Sequence, residues 1–301
     1  MNIVKHRKIW YLISALLIIP GIIALSLWGL KFGIDFKGGT LAEYKFTNST
    51  SVEQVKNSLK DLNLNNLVIT TTSDNGIMLR SGTINQEQHI KITEALNKIG
   101  ENSETRFESV GPTVSSDISR KAIIAIFIAS IAIIFYIAFV FRKVPKPASS
   151  WRFGVCAVIA LIHDLAFVVG LFAILGHFFN YELDSLFITA LLTIMGFSVH
   201  DTIVVFDRIR ENLRKHPSYD FETNVNNSIL QTINRSLNTS LTVLIVLSAL
   251  YFLGGSSLKH FVLALLVGIT IGTYSSIFNA SQLLVSWHGW TLNRLKKKNA
   301  S

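Results

Sequence analysis

The chain has 301 residues, half of them hydrophobic and only 16% charged, and uncharged runs long enough to cross a bilayer recur along it. That composition excludes an ordinary soluble globular protein and places the chain in the polytopic membrane class. The formal net charge of +9 requires no nucleic-acid partner, because the lysines and arginines gather in short segments between apolar runs, as the positive-inside bias expects. The single Cys156 leaves no internal disulfide and no thiolate cluster.

In chain order, the basic flank MNIVKHRK precedes an uncharged run from Ile9 to Leu30. Ala24-Leu25-Ser26 has a faint likeness to a signal-peptidase site, but the run exceeds the roughly 7–15 residues of a signal core and reads as a retained span 1. The polar segment 31–120 reads as a small folded domain. Leu41–Phe46 predicts a strand, and the spacing of Val52, Val55, Leu59 and Leu62 predicts a helix over Val52–Leu62. Leu67–Thr72 and Ile77–Arg80 predict strands around the turn signal Asp74-Asn75-Gly76. Thr83 with Gln86 makes a capping-box pattern before a helix over Ile84–Ile99, and Thr105–Val110 supplies a last strand. The order β-α-β-β-α-β is ferredoxin-like, a fold that by itself says nothing about activity.

Five further spans follow: Ala122–Phe141, Phe153–Gly176, Ser185–Phe206, Leu237–Gly255 and Phe261–Trp287. Arg142, Lys143, Lys146 and Arg152 form one basic loop, interrupted by Pro145 and Pro147; Arg208, Arg210, Arg214 and Lys215 form another. Together with the tail Arg294, Lys296, Lys297 and Lys298, these predict both termini in the cytoplasm and the 31–120 domain outside. The expected architecture is a polytopic α-helical membrane protein with six transmembrane helices and one ferredoxin-like external domain between helices 1 and 2. Its divisions are 1–30 (flank and span 1), 31–120 (external domain), 121–290 (spans 2–6) and 291–301 (basic tail).

Asp201 is the only formal charge in Ser185–Phe206. Ionisable groups within a span face the bundle interior, where they pair, bind ions or relay protons; an interfacial salt bridge is the structural alternative. At helical spacing, Ile194, Phe197, Ser198, Asp201, Val205 and Arg208 share one side. Arg235 opens span 5, with Asn238, Thr239 and Thr242 continuing its face, and span 6 carries Gly268, Gly272, Ser275, Asn279, Gln282 and Ser286 as a small and polar stripe. Gly268 and Gly272 form a GxxxG pair of the kind that packs helices. His163-Asp164, near the middle of span 3, fits a second proton site or a satisfied structural pair equally well. FGIDFKGGT lacks the spacing of a phosphate-binding loop, and no His/Cys/Glu cluster has metal spacing, so neither an enzyme activity nor a cofactor is expected.

FGIDFKGGT after span 1, His163-Asp164, GFSVHDTIVVFDRIRE across span 4, QTINRSLNTSLT into span 5 and GTYSSIFNA in span 6 together resemble the SecF family, the six-span subunits of the bacterial SecDF protein-export complex. The resemblance implies membership of the resistance-nodulation-division superfamily and a place in the bacterial inner membrane. It implies that proton flux through the membrane part moves the external domain and assists translocation of a preprotein that SecA drives through SecYEG. It places the family's essential aspartate on Asp201 and its span 5 arginine on Arg235, and it implies SecD as the partner supplying a second set of six spans, with YajC besides. On this reading protonation of Asp201 releases Arg235, and Phe36, Lys37, Gly38 and Gly39 form part of a hinge to span 1. A proton-coupled exporter of small apolar molecules and a non-transporting assembly scaffold are the alternatives.

Overall fold

The computed structural model describes residues 2–72, 75–142 and 149–300. Lys143, Pro145, Lys146, Pro147 and Asp74 therefore lie outside the described residues. The chain divides into two compact units, one of residues 32–124 with 182–185, the other of residues 1–31, 125–181 and 186–301.

The first unit contains a short helix α2 (Ile34–Lys37), strand β1 (Gly39–Phe46), helix α3 (Val52–Ser58), strands β2 (Val68–Thr71) and β3 (Gly76–Ser81), helix α4 (Gln86–Asn97) and strand β4 (Asn102–Val110). The four strands lie in the order β2-β3-β1-β4, all antiparallel, which is the ferredoxin-like arrangement expected. Alternation along β1 turns Ala42, Tyr44 and Phe46 to one face, where they meet Ile77 and Leu79 of β3 and the i, i+4 pair Ile92 and Leu96 of α4. Val55 of α3 and Leu59 complete this core. The Tyr44 phenol, buried here, donates to Glu104 at 2.7 Å, and burial holds its proton more tightly than an ordinary tyrosine's.

Two local readings are corrected. Helix α4 is capped by Asn85 with Gln88, not by Thr83 with Gln86: the Asn85 side chain accepts from the Gln88 amide at 2.8 Å and the Gln88 side chain accepts from the Asn85 amide at 3.0 Å. The helix begun at Val52 ends at Ser58, tightens into a 3-10 turn over Lys60–Leu62 and stops at Asn63 in the left-handed region.

Gly38 and Gly39 lead from α2 into β1 with φ of 74° and 125°. A Cβ on Gly39 would stand 2.7 Å from the Ser81 carbonyl oxygen, so both the backbone angle and the close approach to β3 demand glycine.

The second unit is helical. Among the described residues six helices are long and apolar enough to cross a membrane: Val4–Trp28, which contains α1 (Arg7–Trp28), α5 (Pro112–Val140), α6 (Ser150–Phe179), α7 (Ser185–Lys215), α8 (Phe221–Leu253), and Lys259–Arg294. Several run well past their apolar runs. Helix α8 begins at Phe221, far ahead of Leu237, because Asp220 caps it by accepting from the Thr223 amide at 3.0 Å; the Thr223 hydrogen bonds hold the Asp220 carboxyl below the usual range. The added turns bury Asn224, Ser228 and Thr232 on the face that carries Val225 and Ile229.

The last span is not one continuous α-helix. It runs as α9 (Lys259–Ser275), widens into a π-helical turn over Ser276–Ala280, and resumes as α10 (Ser281–Ala300). Helix α1 lies against α6 at a glycine crossing, where a Cβ on Gly21 would come within 2.8 Å of the Gly170 Cα. The rings of Phe141, Phe153 and Phe206 pack together with centroids 5.0–5.8 Å apart, joining the end of α5 to α6 and α7.

Gly39→Ala is expected to destabilise the protein by about 1–3 kcal/mol, the usual cost of forcing such a backbone angle on a residue with a Cβ. Thermal unfolding of the detergent-purified chain checks this, with Gly111→Ala, which meets nothing within 4 Å, as the silent control.

Candidate functional site

Span 4, α7, is the most enclosed of the first five spans, and its inward face carries Ile194, Ser198, Asp201, Thr202 and Val205. Asp201 is only 5% exposed. Its Oδ2 accepts a hydrogen bond of 2.6 Å from the Ser276 hydroxyl at the start of the π-turn. A carboxylate so far from water needs such a donor, because desolvation opposes its charge.

A second buried carboxylate lies in the same helical unit. Asp164 of α6 is fully buried, and its Oδ2 accepts from Ser198 of α7 at 2.5 Å and from Ser275 of α9 at 2.7 Å. Its Oδ1 lies 2.9 Å from His163 Nδ1. The Nε2 of that histidine is buried and has no partner among the described residues, and its ring stacks towards Tyr274 at 6.4 Å. The expected pair His163 and Asp164 is therefore a cluster spanning three helices.

Arg235 does not join Asp201. Its side chain is exposed on α8, and among the described residues it makes no ion pair. It lines a cavity of about 220 Å³ with Val204, Asp207, Arg208, Glu211, Gln231 and Thr232. Arg208 is likewise committed elsewhere, donating to Gln231 at 2.6 Å and to Glu211 at 2.5 Å. The paired state expected of Asp201 and Arg235 is thus not the arrangement described.

The faces of the neighbouring spans differ in one respect from the sequence reading. Asn238, Thr239 and Thr242 are exposed, and the two threonine hydroxyls bond to carbonyls four residues back in their own helix. Ser236 and Ser240 turn inward instead, and Ser240 meets Thr273 of α9 at 2.5 Å. A threonine that satisfies its hydroxyl locally faces lipid at little cost, whereas the smaller serine lets helices approach. Gly268 and Gly272 both abut α7: a Cβ on Gly268 would overlap the Ile194 side chain, and one on Gly272 would stand 3.2 Å from Ser198 Cβ. Phe36, Lys37, Gly38 and Gly39 lie in α2 and the turn into β1.

Ser276 was not marked as a site residue by the sequence, and Ser275 only as a member of the span 6 stripe. In a straight helix residue 276 points about 100° away from residue 275, so a stripe search keeps one and discards the other.

Against known proteins, residues 91–290 match the family model "Protein export membrane protein SecD/SecF, C-terminal", and residues 29–50 match the SecD/SecF GG motif. The chain belongs to the SecD/SecF protein-export membrane protein family. It is 48% identical to the protein translocase subunit SecF of Thermobaculum terrenum over 99% of this chain and 97% of that one. It is 36% identical to the SecDF subunit of Bacillus subtilis, covering 98% of this chain and 39% of that protein. The crystal structure of SecDF from Thermus thermophilus, described as a translocon-associated membrane protein, superposes with a TM-score of 0.83 at 33% identity over 95% of this chain. This chain spans 38% of that SecDF chain. The stretch matched to the GG motif contains Gly38-Gly39. With its six apolar helices the chain is a multi-pass membrane protein.

Gly268→Ala is expected to lower stability by about 1–3 kcal/mol through overpacking. Combining it with Ile194→Ala should return part of that loss in thermal unfolding of the purified protein. Strictly additive effects would show that the two sites do not touch.

Proposed function

We propose that this protein assists protein translocation across the bacterial cytoplasmic membrane, using the proton-motive force through Asp201. The observation that carries the reading is a carboxylate 5% exposed on the inner face of a membrane span, held by one serine of a neighbouring span. The family supplies the context of protein export, and two of its members named above join a chain like this one to a longer SecDF protein. A separate SecD chain with its own six spans is the partner on this reading. SecYEG with SecA, YajC, the translocating preprotein and membrane lipid are the other partners. Both termini lie in the cytoplasm, and the proton is the coupling ion.

The proton's part follows from elementary electrostatics. A charged Asp201 favours donors and cations around it, and a protonated one releases them, so each proton shifts the balance between two packings. In the arrangement described, Ser276 holds Asp201 and Arg235 stands apart beside Asp207 and Glu211. Pairing of Asp201 with Arg235 belongs to the other arrangement. One charge crossing 100 mV provides about 2.3 kcal/mol, enough to bias such a balance roughly fiftyfold. Phe36, Lys37, Gly38 and Gly39 pass that motion to the ferredoxin-like unit.

The test is export of a signal-sequence reporter in cells whose only copy carries Asp201→Asn. The isostere keeps a hydrogen-bond acceptor for Ser276 and loses the ability to exchange a proton. Export should fall at least about tenfold at normal membrane abundance, on the scale of losing a proton-carrying group. Normal export would return Asp201 to a structural role and favour a scaffold.

A further inference from the structure

Asp164 and Asp201 sit on different helices, α6 and α7, yet both are bonded by consecutive residues of the last span. Ser275 donates to Asp164 at 2.7 Å and Ser276 donates to Asp201 at 2.6 Å. Ser198, one helical turn before Asp201, donates to Asp164 as well. The two serines stand where α9 gives way to the π-turn. A π-turn holds one more residue than the α-turn it replaces, which gives the segment two discrete registers. The Ser281 hydroxyl donates to the Ser276 carbonyl at 3.3 Å, supporting the wide register. Just beyond it Gln282, fully buried, leaves both its amide oxygen and nitrogen without a partner among the described residues. Such a group is costly where it stands and favours another placement of the same segment.

We propose that Ser275 and Ser276 are positioning residues that couple Asp164 to Asp201, making Asp164 a second proton-binding site whose occupancy is communicated to the first through the π-turn. This inference builds on the proton-carrying reading of Asp201. A proton on Asp201 weakens its hold on Ser276, the turn moves towards its other register, and Ser275 is drawn from Asp164. The reverse also holds, because coupling between two sites is reciprocal. The titratable and charged groups on the surrounding elements include Tyr11 of α1, Cys156 and His163 of α6, His200 and Arg208 of α7, Arg235 of α8, Tyr274 of α9 and His288 of α10. Of these His163 alone bonds to either carboxylate among the described residues.

The test reads each carboxyl separately. An apolar carbodiimide modifies protonated carboxyls, so membranes containing the full chain with its natural partners are treated across about pH 5–9 and modification of Asp201 and Asp164 is followed by peptide mass spectrometry. Ser276→Ala should raise the pH of half-modification of Asp201 by about one unit, because the charged form loses its donor, and Ser276→Thr should restore it. Asp164→Asn should move the Asp201 midpoint by about half a unit or more, and that shift should vanish when Ser275→Ala is also present. An equal shift with and without Ser275→Ala would overturn the proposal, since the carboxylates would then interact through space alone. An unmoved midpoint in Asp164→Asn would overturn it too. If Asp201 resists modification at every pH in the wild-type chain, the proton-carrying reading itself fails, independently of the coupling. Thr270→Ala, whose hydroxyl bonds only within α9, serves as the control for folding and should leave every midpoint in place.

Discussion

A carboxylate buried among membrane helices has to be met by donors, and the helical unit is built around that requirement. Among the described residues two buried carboxylates are present there, and they draw three serine hydroxyls and one imidazole from three helices. Much of the remaining architecture serves this contact. Gly268 and Gly272 bring α9 close enough to α7 for hydroxyls to reach across, and a side chain at either position would hold the helices apart. Adjacent residues of a helix point about 100° apart, so Ser275 and Ser276, where α9 meets the π-turn, address different helices. Local backbone irregularity of this kind is tolerated within a membrane only where it is enclosed by protein, as this turn is.

The extramembrane unit obeys a different economy. Its core is assembled from alternating residues of β1 and β3 and from single faces of α3 and α4, so hydrophobic burial decides its form. Charged groups there work at the surface. Lys91 and Glu87, at i, i+4 on α4, pair at 2.6 Å, and each strengthens the charged form of the other. At the junction Gly38-Gly39 backbone geometry rather than burial dictates residue type.

The fold was legible in the sequence wherever a periodic pattern met no competitor. The strand and helix order of the external unit, the six spans and the inward placement of Asp201 and Asp164 all follow from apolar periodicity and from the rarity of charge in an apolar run. The boundaries were not, because polar residues such as Asn224, Ser228 and Thr232 extend α8 by packing inward, where composition alone reads them as a loop. The start of α4 lies two residues beyond the Thr83 cap because Asn85, in extended conformation, makes the capping box with Gln88 instead. At the site, the expected partner of Asp201 was a charge, Arg235, whereas the partner found is a hydroxyl, Ser276. A serine in a span gives little signal by itself, since most satisfy themselves on their own helix. The π-turn that begins at this one has no mark in the periodicity.

The crossing of Gly21 with Gly170 bears on which parts of the bundle are free to travel. Backbone there meets backbone, and Tyr274 further ties α9 to α1 by donating to the Trp10 carbonyl at 2.9 Å. Sliding either helix by a residue would drive a bulky side chain into the gap the glycines leave. Helices α1 and α6 therefore pack in a single register, backbone against backbone. Helix α8 has the opposite character, with most of its long outer surface uncovered and small hydroxyl residues, Ser228, Thr232, Ser236 and Ser240, recurring every fourth position along its inner face.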